Sequence, residues 1–326
     1  MKTIYSIISQ SNDPSFNLAA EEYLLRNKNE DYHFFYINKP SVIVGKHQNA
    51  LAEINIEYLE KNNISLHRRL SGGGTVYHDE GNLNFCFIKN GNNSNLVNFK
   101  QATQPIVEAL NSWNIPARNG ERNDLLVNYK KISGNACHVY KRRVMHHGTL
   151  LYNSNLDALT SCLKNDPLKF KDKAVKSVRS EVINIKTILN KNWSSTEFLK
   201  RLVEYIKSNL TNIESYTFTE NDLIKIHDLQ ESKYSKNDWN LRYGPNYEFK
   251  KRAKSSGFIF AIKMIVKKGK ITDITIKTNY PDKNINDLLI DALKFKNHDK
   301  KTIKNNLKEI IHNYNLDEST IIDLFF

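Results

Sequence analysis

The stretch Arg68-Arg69-Leu70-Ser71-Gly72-Gly73-Gly74-Thr75-Val76-Tyr77-His78-Asp79 differs from the rest of the chain in its glycine content. Its three consecutive glycines have no Cβ and tolerate positive φ, so successive backbone N–H groups can converge on one oxyanion. A segment that alternates like a β-strand follows over residues 81–88. A loop of this kind between strands is suited to a carboxylate or a phosphate, and the residues alone leave that choice open.

The loop does not match the common nucleotide-binding motifs. No Gly-Lys-Ser/Thr follows the glycines, which excludes a Walker A loop, and the Gly-x-Gly-x-x-Gly of dinucleotide-binding folds is absent. A tight turn between two strands is the structural alternative, but a turn rarely needs three glycines beside two arginines. We therefore interpret residues 68–82 as part of a binding site.

The composition is that of a globular chain with excess positive charge. Of its 326 residues, 40% are hydrophobic and 25% are charged, and the formal net charge is +13. No apolar run is long enough to cross a bilayer, and Met1–Ile8 predicts a β-strand without a signal peptide. Three cysteines without metal-type spacing favour a reducing compartment. These features predict a cytoplasmic protein with no membrane partner.

The positive charge has two interpretations. Lysine-rich runs such as Lys267–Lys270 are usually solvated surface, which is the simpler interpretation. The alternative is an acidic partner, either a protein or a nucleic acid. A nucleic acid is the weaker option because zinc-finger spacing and the aromatic pattern of RNA-recognition modules are both absent.

Hydrophobic periodicity predicts both helices and strands. Helical spacing covers Ser15–Arg26, Ile54–Asn62 and Gln101–Trp113, with Pro105 in the first turn of the last, and a capping box at Ser194–Glu197 opens a further helix. Strand patterns at Asp124–Asn128 and Gly148–Tyr152 are expected to flank a basic loop. Around residues 238–245 the pattern indicates a linker, followed by a hairpin that turns at Lys268-Gly269 and by helices, which together form a small α+β domain.

Three further clusters carry more polar residues than packing requires. Asp124, which enters a strand after Arg122 and Asn123, could hold Mg²⁺, bind a sugar hydroxyl or cap a turn. Lys131, close to Ser133 and Gly134, could place an ammonium group against the anion in the glycine loop. Since His146 and His147 are adjacent on a strand, at most one can face a shared site, which counts against a two-histidine metal site.

Taken in order, these clusters resemble the lipoate–protein ligases. The resemblance rests on residues 68–79, Arg122–Leu125, Lys131–Ala136, His147–Leu151, and Ser177–Val182, the last being similar to that family's segment over the adenylate. It implies an α+β fold. Residues 1–245 would form a catalytic domain of mixed and antiparallel sheets flanked by helices, as in biotin and lipoate ligases. Residues 246–326 would form the small α+β accessory domain of the larger bacterial ligases.

The resemblance also implies a two-step reaction. Lipoate and Mg-ATP would give lipoyl-adenylate and pyrophosphate, and a lysine of a lipoyl-carrier domain would then attack the mixed anhydride. The implied carrier is a lipoyl domain of a 2-oxoacid dehydrogenase or the H protein of the glycine cleavage system. Such carriers are typically acidic, and the positive charge of this chain would speed their docking.

The resemblance further implies roles for individual residues. Lys131 would be essential, contacting both the carboxylate and the α-phosphate, and Asp124 would be the possible Mg²⁺ ligand. The ATP and adenylate site would comprise Gly74, Tyr77, His78, Asn82, Asp124, Lys131, Ser133 and Arg179, with Tyr77 stacked near the adenine. The lipoate site would comprise His47, Arg69, Ser71, Gly72, Gly73, Gly74, Val76, His147 and Gly148.

Other functions remain open from the sequence. An octanoyl or lipoyl transferase on the same scaffold would act through a cysteine thioester without ATP, and Cys137 is its candidate nucleophile. A biotin–protein ligase would share the architecture, but its Gly-Arg-Gly-Arg-x-Gly loop is missing. A non-catalytic protein that binds an adenylate or RNA is the third alternative. The sequence does not distinguish lipoate from octanoate as the substrate.

Overall fold

The computed structural model describes residues 3–91, 96–163 and 169–326. Its strands, in chain order, are β1 (Ile4–Ile8), β2 (Asp31–Ile37), β3 (Ser41–Val44), β4 (Ser65–Arg68), β5 (Val76–His78), β6 (Asn82–Asn90), β7 (Arg118–Asn119), β8 (Asp124–Val127), β9 (Lys130–Tyr140), β10 (Arg143–Leu151), β11 (Phe170–Asp172), β12 (Ile213–Ser215), β13 (Tyr247–Ser255), β14 (Phe258–Lys267) and β15 (Lys270–Thr278). Met1 and Lys2 of the predicted first strand lie outside the described residues.

The helices are interspersed with these strands. They are α1 (Pro14–Asn27), α2 (Ala50–Glu53), α3 (Ile56–Lys61), α4 (Phe99–Ser112), α5 (Leu156–Cys162), α6 (Ser195–Asn209), α7 (Glu220–Leu229), α8 (Asn284–Leu293), α9 (Lys300–Asn313) and α10 (Glu318–Asp323). Side-chain caps define several of their starts. Asp13 accepts from the Ser15 N–H at 2.8 Å, and Pro14 occupies the first position of α1. None of the helices in the described ranges is long and apolar enough to span a membrane.

Eight strands form one mixed sheet in the spatial order β12-β1-β2-β6-β10-β9-β8-β7. β1 pairs in parallel with β2 and β12, and the other neighbours pair antiparallel. Successive side chains of a strand point to opposite faces of the sheet, and a separate hydrophobic core covers each face. Phe85 and Phe87 of β6 pack with α4 and α6, whereas Cys86 packs with α1. Neighbouring strands are about 4.8 Å apart, so β2 and β8 are separated by about 19 Å across this sheet.

A second sheet carries the glycine loop. Its order is β4-β3-β5, with β3 parallel to β4 and antiparallel to β5. Ile43 of β3 and Leu70 after β4 pack in the same core as α1 and Cys86, which places this sheet over the α1 side of the large sheet. The glycine loop connects β4 to β5 and therefore lies above the middle of the large sheet.

The C-terminal residues form a third sheet with the order β11-β13-β14-β15. β14 and β15 are the predicted hairpin, and Lys268 and Gly269 both have positive φ at its turn. Helices α8, α9 and α10 pack against this sheet through a separate core. The strand β11, with residues 170–172, comes from the segment before residue 245 and joins this sheet by pairing with β13.

The predicted linker is firmly packed. Residues 238–242 form a π-helical turn, and Arg68, which is fully buried, binds it to the base of the glycine loop. The Arg68 guanidinium donates to the carbonyl oxygens of Gly45 at 2.9 Å, Gln48 at 2.8 Å and Trp239 at 3.0 Å. The Trp239 indole N–H donates in return to the Arg68 carbonyl at 2.8 Å.

Three local predictions were wrong. The basic segment predicted as a loop is the eleven-residue strand β9, because both its edges are paired, with β8 and β10. Asn98 caps α4, so this helix begins earlier than predicted and Pro105 lies beyond its first turn. Helix α3 begins at Ile56, separated from α2 by a break at Ile54 and Asn55. Ser194 caps α6 as expected.

Candidate active site

Two cavities meet at Lys131. The first, of about 350 Å³, lies between the two sheets and crosses the large sheet from Asp124 on β8 to Tyr36 on β2. The second, of about 620 Å³, reaches apolar residues of α5 and Phe170 of β11. Lys131, Thr75 and Ser177 line both cavities. A ligand in one cavity can therefore meet a ligand in the other beside the Lys131 ammonium group.

The glycine loop, residues 71–75, makes a close backbone contact with Gly45 at the end of β3. A Cβ on Gly45 would lie 2.1 Å from the carbonyl oxygen of Gly73, so the end of β3 and the loop touch through their backbones. Gly73 has a φ of 92°, in the left-handed region that favours glycine. Gly73 and Gly74 line the first cavity, whereas Ser71 is fully buried and the half-buried Gly72 lines neither cavity.

Arg69 shapes this loop rather than presenting an unbonded charge. Its guanidinium donates to the carbonyl oxygens of Gly72 at 2.8 Å, Gly74 at 2.7 Å and Ile43 at 3.1 Å, and its Nε donates to Ser71 Oγ at 3.0 Å. These contacts use most of the N–H groups of an arginine. The side chain lines the first cavity, but its main contacts are with the loop itself.

A buried network lies behind the loop. His147 Nε2 lies 2.6 Å from Ser71 Oγ, and His147 Nδ1 lies 2.8 Å from Glu21 Oε2. The Tyr36 hydroxyl donates to Glu21 Oε1 at 3.0 Å. The network orients His147, which lines the first cavity. The sequence analysis did not predict Glu21 and Tyr36 as site residues. Two adjacent glutamates, Glu21 and Glu22, within an otherwise largely apolar helix were the signal that could have indicated a buried polar site.

Lys131 and Asp124 form the polar end of the first cavity. The absence of a side chain at Gly134 leaves room for the lysine, since a Cβ there would lie 3.1 Å from Lys131 Nζ. Burial lowers the pKa of Lys131, and the Asp124 carboxylate partly offsets this. Asp124 lines this cavity and is 9% exposed, and its Oδ1 is buried beside Gly120 without a hydrogen-bond partner among the described residues. A carboxylate that lines a cavity is suited to a cation.

Residues 174–182, which we call the cover segment, lie over the junction of the two cavities. Ser177 Oγ accepts from the Thr75 N–H at 2.8 Å and from Gln48 Nε2 at 3.1 Å, and it donates to the Glu53 carboxylate. Burial raises the pKa of Glu53, and its hydrogen bonds with Ser177 act in the opposite direction. Gln48 and Glu53 were not predicted as site residues, because their sequence context shows no motif and only the fold brings them to Ser177.

The structure places the remaining predicted residues in different positions. Val76 lines both cavities, Tyr77 and Arg179 line the second, and His78 and Gly148 line the first.

Three of these remaining residues line neither cavity. Asn82 and Ser133 are fully buried, and Asn82 Nδ2 donates to Asn84 Oδ1 at 3.0 Å. His47 is exposed in the turn after β3, because the strand that it follows ends beneath the loop. It therefore has no place in either cavity.

Cys137 does not face the site. It follows Ala136 on β9, and Ala136 lines the first cavity, so the Cys137 side chain points to the opposite side of the strand. Burial also raises the pKa of its thiol, which disfavours the nucleophilic thiolate. Both observations argue against a thioester mechanism at this residue.

Known proteins are similar to most of this chain. Residues 13–207 match the family model described as the lipoyl protein ligase A/B catalytic domain. The chain is 45% identical over 268 residues to lipoate–protein ligase 1 of Staphylococcus aureus, covering 81% of each protein. It is 40% identical over 269 residues to the lipoate–protein ligase LplJ of Bacillus subtilis, again covering 81% of each.

The chain belongs to the lipoate–protein ligase family. The resemblance predicted from the ordered motifs is thus confirmed.

Solved structures of the family agree with the fold. A lipoate–protein ligase A with bound ATP superposes with a TM-score of 0.62 at 26% identity, over 74% of this chain and 98% of that chain. Plasmodium falciparum LipL1 in complex with lipoate gives a TM-score of 0.61 at 26% identity, over 98% of this chain and 97% of that chain. The α+β fold of a lipoate ligase, with a separate small C-terminal sheet, is confirmed.

A third relative was solved in a study of a lipoylation system. It is the bipartite lipoate–protein ligase of Thermoplasma acidophilum, described together with its E2 lipoyl domain. Its TM-score is 0.62 at 26% identity, over 74% of this chain and 96% of that chain. This lipoyl domain is a partner of the relative.

Proposed function

We propose that this chain is an ATP-dependent lipoate–protein ligase, which forms lipoyl-adenylate and transfers the lipoyl group to a lysine of a carrier domain. The observation that carries the proposal is the meeting of two cavities at one half-buried lysine, Lys131. An acid and a nucleotide must come together for adenylation, and both reactants are anions. A cation at the junction, together with backbone donors of a glycine loop, reduces their mutual repulsion.

We assign the first cavity to the acid and the second to the nucleotide. Tyr36, Ile43 and Val76 give the first cavity carbon surface that suits an acyl chain. The second cavity has aromatic and aliphatic walls, among them Tyr77, Leu159 and Phe170, which suit an adenine ring. Arg179 of the cover segment would lie beside the nucleotide.

In the first step, a carboxylate oxygen of lipoate attacks the α-phosphorus of ATP, and the bond to the bridging oxygen breaks as pyrophosphate leaves. Lys131 would contact the carboxylate and the α-phosphate, so its ammonium group stabilises the charge that builds up between them. The N–H groups of Gly73, Gly74 and Thr75 are the backbone donors nearest to this junction. In this structure the Thr75 N–H is bonded to Ser177 Oγ, so a phosphate oxygen would replace that hydroxyl.

Mg²⁺ fits the polar end of the first cavity, and Asp124 is the residue that would hold it. Its carboxylate lines this cavity and would supply one oxygen ligand. Magnesium commonly takes one or two carboxylates and completes its shell with substrate phosphates and water. Among the described residues, no cluster of three metal-binding side chains exists, which agrees with such a substrate-dependent site. When bound, the ion would neutralise phosphate charge.

In the second step, the amine of the carrier lysine attacks the lipoyl carbonyl. An amide bond forms, the bond from the carbonyl carbon to the phosphate oxygen breaks, AMP leaves, and the amine loses a proton. We propose a lipoyl domain of a 2-oxoacid dehydrogenase or a glycine cleavage H protein as the carrier, acting in the cytoplasm. The relative from Thermoplasma, whose partner is an E2 lipoyl domain, supports this class of partner over a nucleic acid.

We also propose the division into a catalytic domain of residues 1–245 and an accessory domain of residues 246–326. The separate hydrophobic core of the C-terminal sheet supports it. One strand crosses the boundary, because β11 pairs with β13 and leads directly into the cover segment. The accessory domain would therefore anchor the start of that segment.

The net charge of +13 leads to a prediction about the carrier. We expect the rate of lipoyl transfer to an acidic carrier domain to fall by about tenfold between low and physiological salt, because salt screens steering between unlike charges. The measurement is the second-order transfer rate constant from preformed lipoyl-adenylate. Adenylation of lipoate at saturating ATP, measured in the same buffers, is the control. A salt-independent transfer rate would exclude electrostatic steering.

The cysteine alternative leads to a second prediction. Cys137→Ala should retain adenylation and transfer within about twofold of the unaltered protein, since the thiol points away from the first cavity and substitutions outside a site have small effects. Both rates are measured with lipoate, ATP and a carrier domain. Loss of transfer with adenylation intact would instead support an acyl-thioester mechanism.

The proposal as a whole is tested by mass spectrometry. Purified protein is incubated with a carrier domain and lipoate, with and without ATP, and the carrier mass is measured. We expect a lipoyl mass increment only when ATP is present, together with release of pyrophosphate. Modification without a nucleotide would favour the transferase, and no pyrophosphate release with any acid would favour a binding protein.

A further inference from the structure

One histidine in the first cavity has a bonded and an unbonded ring nitrogen. His78 is 4% exposed and lines this cavity. Its Nδ1 lies 3.0 Å from Asn38 Nδ2, and its Nε2 is buried without a hydrogen-bond partner in the described part of the chain. Buried polar atoms are nearly always hydrogen-bonded, so an unpartnered nitrogen on a cavity-lining side chain needs an explanation.

A chain of hydrogen bonds determines which nitrogen of His78 carries the proton. Asn17 Nδ2 donates to the backbone carbonyl of Ser11 at 2.9 Å, an atom that can only accept, and the same Nδ2 lies 2.8 Å from Asn38 Oδ1. The other end of the Asn38 amide is therefore its NH₂ group, which donates to His78 Nδ1. His78 must accept at Nδ1, and as a neutral imidazole it carries its proton on Nε2.

The surroundings keep this imidazole neutral. Burial lowers the pKa of His78 to about 3, and the nearby Arg69 guanidinium and two other histidines, His147 and His67, act in the same direction. Neutral His78 thus has an N–H donor at Nε2 that no described residue accepts. A ligand atom that accepts a hydrogen bond would satisfy it.

His78 lies at the end of the first cavity remote from Lys131. The cavity crosses the large sheet from β8 to β2, which are about 19 Å apart. Lys131 lies on β9, beside β8, whereas the His78 ring is bonded to Asn38, the residue that directly follows β2. An acyl chain whose carboxylate contacts Lys131 therefore points its distal end toward His78.

We propose that the Nε2–H of His78 donates a hydrogen bond to a sulfur atom of the lipoyl dithiolane ring and thereby favours lipoate over octanoate. The inference rests on the proposed function. The two acids share a carboxylate and an eight-carbon chain and differ in the sulfur atoms near the distal end. Divalent sulfur is a weak acceptor, whereas the hydrocarbon end of octanoate accepts nothing and would leave the donor unpartnered.

The test measures kcat/KM of adenylation for lipoate and octanoate in parallel, by pyrophosphate release at saturating ATP. Three variants separate the two nitrogens. His78→Gln keeps a donor near Nε2, His78→Asn keeps only a polar group near Nδ1 and Asn38, and His78→Phe removes both. We expect the lipoate-to-octanoate ratio to fall about tenfold in the Phe and Asn variants and to recover largely in the Gln variant.

A measurement on the unaltered protein covers the case of variants that fail to fold. With ¹⁵N-labelled histidine, the Nε2–H resonance of His78 should shift on addition of lipoate and remain in place with octanoate. A resonance that responds equally to both acids would overturn the inference, as would equal losses of kcat/KM for both acids in His78→Phe. A protein inactive with either acid would instead contradict the proposed ligase function.

Discussion

Lys131→Ala is expected to lower the rate of lipoate-dependent ATP–pyrophosphate exchange about a thousandfold, the effect of removing one preorganised donor from a charge-stabilising site. Lys131 is the cationic residue at the junction that lines both cavities from within the large sheet. Alanine would leave the two anions without this ammonium group, and the glycine loop and Lys176 of the cover segment, which also lines both cavities, would have to oppose their repulsion. Exchange of labelled pyrophosphate into ATP measures the step directly, without a carrier.

The adjacent lysine is a matched control. Lys130 lies next to Lys131 on the same strand, so its side chain points to the other face, where it is 48% exposed. Lys130→Ala removes the same charge from nearly the same place and should leave exchange within about twofold of the unaltered rate. If both variants lose activity equally, general positive charge, and not the position of one ammonium group, drives adenylation.

The pKa of Lys131 gives the same hypothesis a pH dependence. Burial lowers this pKa from the ordinary lysine value. Because the protonated form is the active one, exchange should be constant at neutral pH and fall as pH rises through the lowered pKa of Lys131. The fall should therefore begin below the pH at which an ordinary lysine, with a pKa of about 10.4, would titrate. A rate that increases over this range would indicate that the neutral amine is required.

Arg68→Met is expected to lower the free energy of unfolding by about 4 kcal/mol, because several buried carbonyl groups lose their donor while the volume stays similar. The guanidinium holds the carbonyl oxygens of Gly45, Gln48 and Trp239 at 2.8 to 3.0 Å. These contacts join the end of β4, the turn after β3 and the π-helical turn at 238–242. Chemical denaturation followed by tryptophan fluorescence measures the change.

A surface arginine supplies the comparison for this stability prediction. Arg201 lies on α6 with 54% of its side chain exposed, and its partner Glu197 is 3.7 Å away. Arg201→Met should change the free energy of unfolding by less than about 0.5 kcal/mol, as exposed ion pairs contribute little. An Arg68 variant as stable as the Arg201 variant would mean that water replaces the lost donor, and that Arg68 does not hold the turn after β3 to the π-helical turn.

Much of the fold could be predicted from local patterns. Periodicity located α1, α6 and the C-terminal hairpin because the apolar spacing of each element is visible within its own residues. The strand β9 was missed for the opposite reason. Its residues Lys130–Tyr140 mix polar and apolar side chains. They adopt a strand because β8 pairs with one edge and β10 with the other. Both partners are neighbours in the chain, but the sequence of Lys130–Tyr140 itself lacks the regular apolar alternation by which a strand is recognised.

Within the candidate site, the sequence indicated the chemistry but not the arrangement. The motif around Lys131 predicted a cation near an anion loop, and the structure brings this lysine beside that loop. Arg69 has the same charge, yet the fold directs its guanidinium into the carbonyl groups of the loop. His78, predicted as a nucleotide-binding residue, lines the first cavity and not the second. Residue type alone cannot distinguish a side chain that binds a ligand from one that shapes the site.

The amino-acid sequence was sufficient for the family and the α+β class, because ordered glycine and lysine motifs can be recognised without coordinates, and it made Lys131 the candidate for the essential residue. Only the tertiary structure revealed that two cavities meet at Lys131, that Glu21 orients His147, and that Asn38 determines the tautomer of His78. These features depend on contacts between residues far apart in the chain. Their geometry is determined by sheet pairing and side-chain packing, which no stretch of the sequence records by itself.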